Sequence, residues 1–204
     1  MESKQETWTL WSDDRINEEQ SQVLKGIAAE LAIPLTEEGR RDVNTLLEAF
    51  LGRNDAVGLA APQIGMGKRI VVFRTKNFSG GEPLQKNSND YELLVNPRIT
   101  QYRGDEEQDS EGCLSCPHIT ADVARWTEIK VRAFDEKGNK ISRRYTGYLA
   151  RVVQHELDHL DGTLIVDRAS TLYYPREKKL FFDSLFRNDT PPPIPGTTIP
   201  PGKP

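Results

Sequence analysis

Hydrophobic residues change period along the chain, and each change predicts an element. Between 16 and 31, Ile16, Val23, Leu24, Ile27, Ala28 and Leu31 recur at spacings of three and four, the stripe of an amphipathic helix ended by Pro34. A second helix is predicted to start at Thr36, whose hydroxyl can cap it, with Glu37 and Glu38 in the first turn. Its stripe is Val43, Leu46, Leu47, Phe50 and Leu51, and Gly52 suits its end. The period then shortens. Ile70 to Phe73 and Leu93 to Val95 are short apolar runs, and Glu128 to Phe134 alternates with Ile129, Val131 and Ala133 on one face, so strands are predicted. Asp135 to Asn139 supplies turn chemistry before a strand over Lys140 to Tyr145, which makes a hairpin. Asn77 to Asp90, rich in Gly, Ser and Asn, reads as a mobile surface loop.

Helical spacing returns over Gly147 to Leu160 and stops at Asp161-Gly162. Another short helix is predicted from Pro175 through Leu180, Phe181 and Leu185. Beyond Arg187 the composition shifts abruptly to proline. One folded domain over residues 1–187 is therefore expected, followed by a disordered or polyproline-like tail over 188–204.

At 36% hydrophobic and 28% charged residues with a net charge of −4, the chain has the make-up of a soluble globular protein and no basic excess to hold a polyanion. Nucleic acid is not expected as a partner. No run approaches the ~20 apolar residues that span a bilayer, and the N-terminus lacks the apolar core of a secretory signal. Two cysteines, Cys113 and Cys116, cannot build a disulfide framework, so a reducing, cytoplasmic location is expected.

The chemistry concentrates in Gln154-His155-Glu156-Leu157-Asp158-His159. Two histidines four apart on a helix share a face and can reach one metal ion, while a carboxylate beside the first can take a proton from water activated there. A catalytic metal normally has a third protein ligand and one open position, and His118, Cys113 and Cys116 are the candidates. Cys113, Cys116, His155 and His159 together would instead make a closed structural zinc site. Two features count against that: the pairs lie far beyond the ~12–15 residues of a compact finger, and a domain this large folds without metal.

Three segments, Gly58-Leu-Ala-Ala-Pro-Gln63-Ile-Gly65, Glu111-Gly-Cys-Leu-Ser115 and Gln154-His-Glu-Leu-Asp-His159, resemble the ordered motifs of the peptide deformylases. The resemblance implies an α+β hydrolase with mixed or antiparallel sheets packed around a central metal-binding helix and preceded by N-terminal helices. It implies one divalent metal, Fe2+ by preference with Zn2+, Ni2+ or Co2+ as alternatives, held by Cys113, His155 and His159, with Glu156 as general base and acid. Gln63 and the backbone N–H of Leu114 would face the oxyanion. The substrate would be the N-formylmethionyl end of a nascent polypeptide near the ribosome, the product formate, and the protein a monomer.

Val57, Gly58 and Gly112 would meet the peptide main chain, and glycines at 58, 65 and 112 would let backbone approach it. Tyr148, Arg151 and Val152 lie seven, four and three residues before His155 and should flank the metal, with the stem of Arg151 lining the methionine pocket and its charge in solvent. Asp158 and Glu111 could orient a histidine or pair with an arginine, but Arg125, Arg143 and Arg144 look alike in sequence. Cys116 stands where relatives carry an aliphatic residue and could be an oxidation partner for Cys113. Two competing readings are another metal-dependent amidase or peptidase, and a metal-holding interaction protein recruiting partners through its tail. Glu156 and Gln63 disfavour the latter, since neither is needed merely to hold metal.

Overall fold

The computed structural model describes residues 6–76, 78 and 90–186. The loop expected at 77–90 falls almost wholly outside these residues, as does the tail at 188–204. In chain order the elements are β1 (Trp11–Ser12), β2 (Arg15–Ile16), α1 (Glu18–Leu24), α2 (Glu37–Leu51), β3 (Gly58–Ala60), a 3-10 turn (Ala61–Ile64), β4 (Ile70–Arg74) and β5 (Tyr91–Gly112). They continue with β6 (Thr120–Phe134), β7 (Lys140–Thr146), α3 (Gly147–Leu160), α4 (Ile165–Arg168), β8 (Thr171–Tyr173), a second 3-10 turn (Arg176–Lys178) and α5 (Lys179–Phe186). Strands β3-β4-β5-β6-β7 form an antiparallel sheet in that order, and β8 pairs the start of β6. This is the expected α+β architecture.

Strand β4 shows why its sequence is continuously apolar. Val71 and Phe73 pack with Val153, Leu157 and Leu160 of α3, whereas Ile70 and Val72 pack with Val43, Leu46 and Phe50 of α2. Alternate side chains of a strand face opposite ways, so a strand between two helical layers is buried on both faces. Helix α3 spans the residues whose spacing predicts a helix, is buried along most of its length and is the central element that the resemblance implies. A third apolar cluster joins the ends of the described chain, with Leu10 and Trp11 against Ile119, Leu164 and Phe182.

The second helix begins as expected, with Gly39 N–H donating to Thr36 Oγ1 at 3.1 Å. The first is shorter than 16–31. Gly26 donates to the Val23 carbonyl and closes α1, after which Ala28 N–H donates to the Leu160 carbonyl and Leu31 N–H to Asn96 Oδ1. Residues 28 and 31 are thus buried by irregular chain, and Ile27 of the predicted stripe is 84% exposed. Tertiary main-chain bonds and a helix-weakening glycine override the periodicity here.

Strand β5 runs on from Val95 to Gly112, well beyond its apolar start, because residues 98–112 bond across to β6. Its exposed residues 100–110 carry no hydrophobic alternation that sequence could reveal. Among the described residues no helix is long and apolar enough to cross a membrane.

Candidate metal centre

Three side chains from distant parts of the chain converge where β5 ends against α3. Cys113 follows the last residue of β5, and the helical repeat puts His155 and His159 on the face turned toward it. One donor atom from each of the three lies within 4.8 Å of the others. Cys113 Sγ is 3.3 Å from His159 Nε2, and the imidazoles meet edge to face with centroids 5.2 Å apart. A thiolate and two imidazoles are donors of the softness that suits a divalent ion such as zinc or ferrous iron, so these residues fit a metal.

Beneath the donors lies a buried network of charge. Glu111 Oε2 sits 2.9 Å from His155 Nδ1, which turns the opposite ring nitrogen toward Cys113. The same carboxylate accepts two bonds from Arg125, both at 2.9 Å, and one from Arg151 Nη1 at 2.8 Å. Arg125 also pairs with Asp158, which accepts from Arg168 Nη2 at 2.6 Å. Burial pushes the Glu111 carboxyl up, but the bonds from Arg125 and His155 outweigh it and hold the group well below the usual carboxylate range.

This corrects the expectation for Arg151. Its stem borders the cleft, but its guanidinium is buried, bonded to Glu111 and to the carbonyls of Val123 and Glu107. Arg125 is the buried arginine that sequence could not single out. Arg143 and Arg144 form partly exposed pairs with Glu92 and Glu128.

Glu156 is turned from the network into the cleft. It is 4% exposed, and its Oε2 has no hydrogen-bond partner. Burial, aided by the charges of Cys113 and Glu111 and opposed by the histidines, raises its pKa to about 7. Space for its carboxyl depends on Gly58: a Cβ there would lie 2.2 Å from Glu156 Oε1 and 2.8 Å from Cγ. Gly58 is needed for this close approach, whatever else it meets. Gly65 has a different reason, since its φ of +82° and the Trp8 ring, 2.5 Å from a built Cβ, both exclude a side chain. Gly112 alone of the three opens on free space.

Gln63 is fixed from both ends of its amide. Oε1 accepts from Ala60 N–H at 2.9 Å, so Nε2 points to Ser115 Oγ at 3.3 Å and toward Cys113 Sγ at 3.9 Å. Leu114 follows in the turn that carries Cys113. A cleft of about 460 Å³ runs over these groups, lined by Val57, Gly58, Gln63, Gly112, Leu114, Tyr148, Val152 and Glu156 among others. His159 lies below it and is 1% exposed. Tyr148 is half exposed and meets Phe78 edge on at 5.0 Å, whereas Val152 is shared between the cleft and the core.

The other candidate ligands stay outside the donor group. His118 is exposed at the cleft margin with φ +67°, and Cys116 packs into the third apolar cluster. The Cys116 thiol beside Cys113 holds the latter's pKa well below the ordinary thiol value, against burial, while burial pushes Cys116 well above it. The group is therefore a three-donor site, and the closed four-ligand arrangement is not formed.

A three-donor centre with a buried carboxylate and an oriented amide at the mouth of a cleft defines the class: a metal-dependent hydrolase. The profile of the polypeptide deformylase family matches residues 14–174, and the chain belongs to that family, whose members hydrolyse the amide C–N bond of an N-formyl group. It is 41% identical over 125 residues to the peptide deformylase of Desulforudis audaxviator, covering 61% of this chain and 74% of that one. To peptide deformylase 2 of Rickettsia conorii it is 34% identical over 155 residues, 74% and 77% of the two chains. The crystal structure of a Synechococcus elongatus peptide deformylase in complex with actinonin superposes with a TM-score of 0.66 at 31% identity, covering 84% of this chain and 82% of that one. The Thermotoga maritima enzyme gives 0.61 at 33% identity, covering 74% and 92%.

Proposed function

We propose that this chain removes the formyl group from N-formylmethionyl nascent polypeptides, releasing formate, with Cys113, His155 and His159 as metal ligands and Glu156 as general base and acid. The observation that carries these roles is the Glu156 carboxyl, buried without a partner for Oε2 beside a three-donor group. A divalent ion held there supplies Lewis-acid charge and acidifies water toward a pKa of about 7. Fe2+ is the proposed ion, and the same donors accept Zn2+, Ni2+ or Co2+.

The side chains do the rest. Glu156 takes the proton of the attacking water and returns it to the departing amine nitrogen, the role of a buried carboxyl that no other hydrogen-bond partner holds at Oε2. Gln63 Nε2 and Leu114 N–H donate to the oxyanion that develops on the formyl oxygen. Val57, Tyr148 and Val152 form the methionine slot, with Arg151 as its buried floor, and Gly58 and Gly112 offer main-chain groups to the extended peptide. The catalytic unit is assigned to residues 1–187, with 188–204 outside it, and the protein to the cytoplasm as a monomer near the ribosome exit.

Formate release decides it. Anaerobically purified, iron-loaded protein should release formate from formyl-Met-Ala, and Glu156→Gln should lower the rate about 10²–10⁴-fold at unchanged metal content. Release no faster than that variant's refutes the proposal, and preferential cleavage of unformylated peptides favours a peptidase.

A further inference from the structure

The segment Thr7–Trp11 is bonded on two sides, one of which faces the metal centre. Trp8 N–H donates to the Gln63 carbonyl at 2.8 Å, and Leu10 N–H donates to the Ser115 carbonyl at 2.9 Å. Between them, Thr9 N–H donates instead to Gln20 Oε1 at 2.7 Å, while Asn17 Nδ2 donates to the Thr9 carbonyl at 3.1 Å. Such alternation is the signature of extended chain, where every second N–H shares a side. The ends are anchored too: Arg53 Nη1 donates to Thr7 Oγ1 at 2.7 Å, and Trp11 Nε1 donates to the Pro117 carbonyl at 3.0 Å.

Both inner bonds end on the turns that carry the two amide donors. One is at Gln63 itself, and the other is at Ser115, directly after Leu114. Trp8 adds a side-chain contact, because its indole lies where a Cβ on Gly65 would stand, at the end of the Gln63 turn. The segment precedes residue 14, where the family match begins.

We propose that Thr7–Trp11 is a strut that fixes the Gln63 turn relative to the Cys113–Ser115 turn, with Trp8 as a positioning residue acting through Gln63. This rests on the function proposed above. Two residues of extended chain span about 7 Å, and with both N–H groups pinned neither turn can shift without breaking a bond. The strut is not among the groups lining the cleft. Its loss should therefore fall on the transition state, which needs the donors aligned, more than on substrate binding.

The test is a double-mutant cycle in the full-length, metal-loaded protein. Trp8→Ala, Gln63→Ala and their combination are compared by kcat and KM for formyl-Met-Ala, normalised to bound metal, with Trp8→Phe as the conservative variant. Gln63→Ala should lower kcat about 10²–10³-fold. Trp8→Ala should lower it about 10-fold or more with KM within about threefold, Trp8→Phe should recover most of that, and adding Trp8→Ala to Gln63→Ala should cost under about threefold more. A second readout needs no turnover: the Trp8 and Leu10 amide hydrogens should exchange slowly in the parent, and Leu10 should lose protection in Trp8→Ala.

Additive losses, a Trp8→Ala variant with lowered melting temperature but unchanged kcat per bound metal, or fast exchange at both amides in the parent would each overturn the strut. If Gln63→Ala alone leaves kcat unchanged, the donor assignment fails and the strut falls with it. A costly Gln63→Ala beside a silent Trp8→Ala sinks only the strut.

Discussion

Two walls meet at the metal centre, and they are held by different forces. Under His155 the wall made by β5, β6 and α3 is tied by buried charge, with Glu111 shared among His155, Arg125 and Arg151. Across the cleft, the wall of Gly58, Gln63 and Leu114 is shaped by main-chain bonds and close approach: Ala60 N–H on Gln63, Trp8 N–H behind it, and a glycine that leaves room for Glu156. Buried ions left without partners are costly, so the first wall sets direction through stability. Once one of its contacts is lost, the second can shift at little thermodynamic cost, yet transition-state contacts depend on such small distances. Breaking the first wall should unfold the protein or release metal, whereas breaking the second should slow it.

The largest expected effect is therefore Glu111→Ala. It leaves buried Arg125 with Asp158 alone and buried Arg151 with main-chain carbonyls but no counter-ion, and it frees His155 Nδ1, so unfolding in urea should show a loss of about 3–5 kcal/mol. Competition with a chelator should show metal held about 10–100-fold more weakly. Gly58→Ala tests the other wall. Its Cβ would overlap the Glu156 carboxyl and Cγ, so that side chain must turn toward the cleft, and kcat per bound metal should fall about 10–100-fold with a smaller loss of stability than in Glu111→Ala. A Gly58→Ala variant that is unstable but fully active would reverse the contrast.

The same contrast explains what the sequence made legible. The pairing of His155 with His159 is legible because a helix converts a spacing of four into a shared face, and α2 because Thr36 and its stripe obey local rules, whereas spacing alone leaves Cys113, Cys116 and His118 alike and only the resemblance separates them. The roles of Arg125 and Arg151 are not legible, because a charge looks the same in sequence whether it meets Glu111 in the interior or water outside. The glycines suggest peptide approach in sequence, which cannot show that Gly58 also makes room for Glu156 or that Gly65 abuts Trp8, neighbours supplied only by tertiary structure. Main-chain bonds are the least visible of all. Any residue but proline can donate as Trp8 and Leu10 do, and the polar stretch of β5 from 100 to 110 is a strand only because β6 lies beside it.

The smallest effect belongs to a pair that matches the first wall in its N–O separation but not in its burial. Arg143 Nε lies 2.9 Å from Glu92 Oε1, the same separation as Arg125 Nη2 from Glu111 Oε2. The Arg143 and Glu92 side chains are 52% and 21% exposed, against 4% and 5% for Arg125 and Glu111. Water screens the exposed charges, and Tyr145 Oη still donates to Glu92 at 2.9 Å when the arginine is gone. Arg143→Ala should thus cost no more than about 0.5 kcal/mol in urea unfolding and leave formate release unchanged. A loss approaching that of Glu111→Ala would mean that pairing geometry, rather than removal from solvent, gives the first wall its strength.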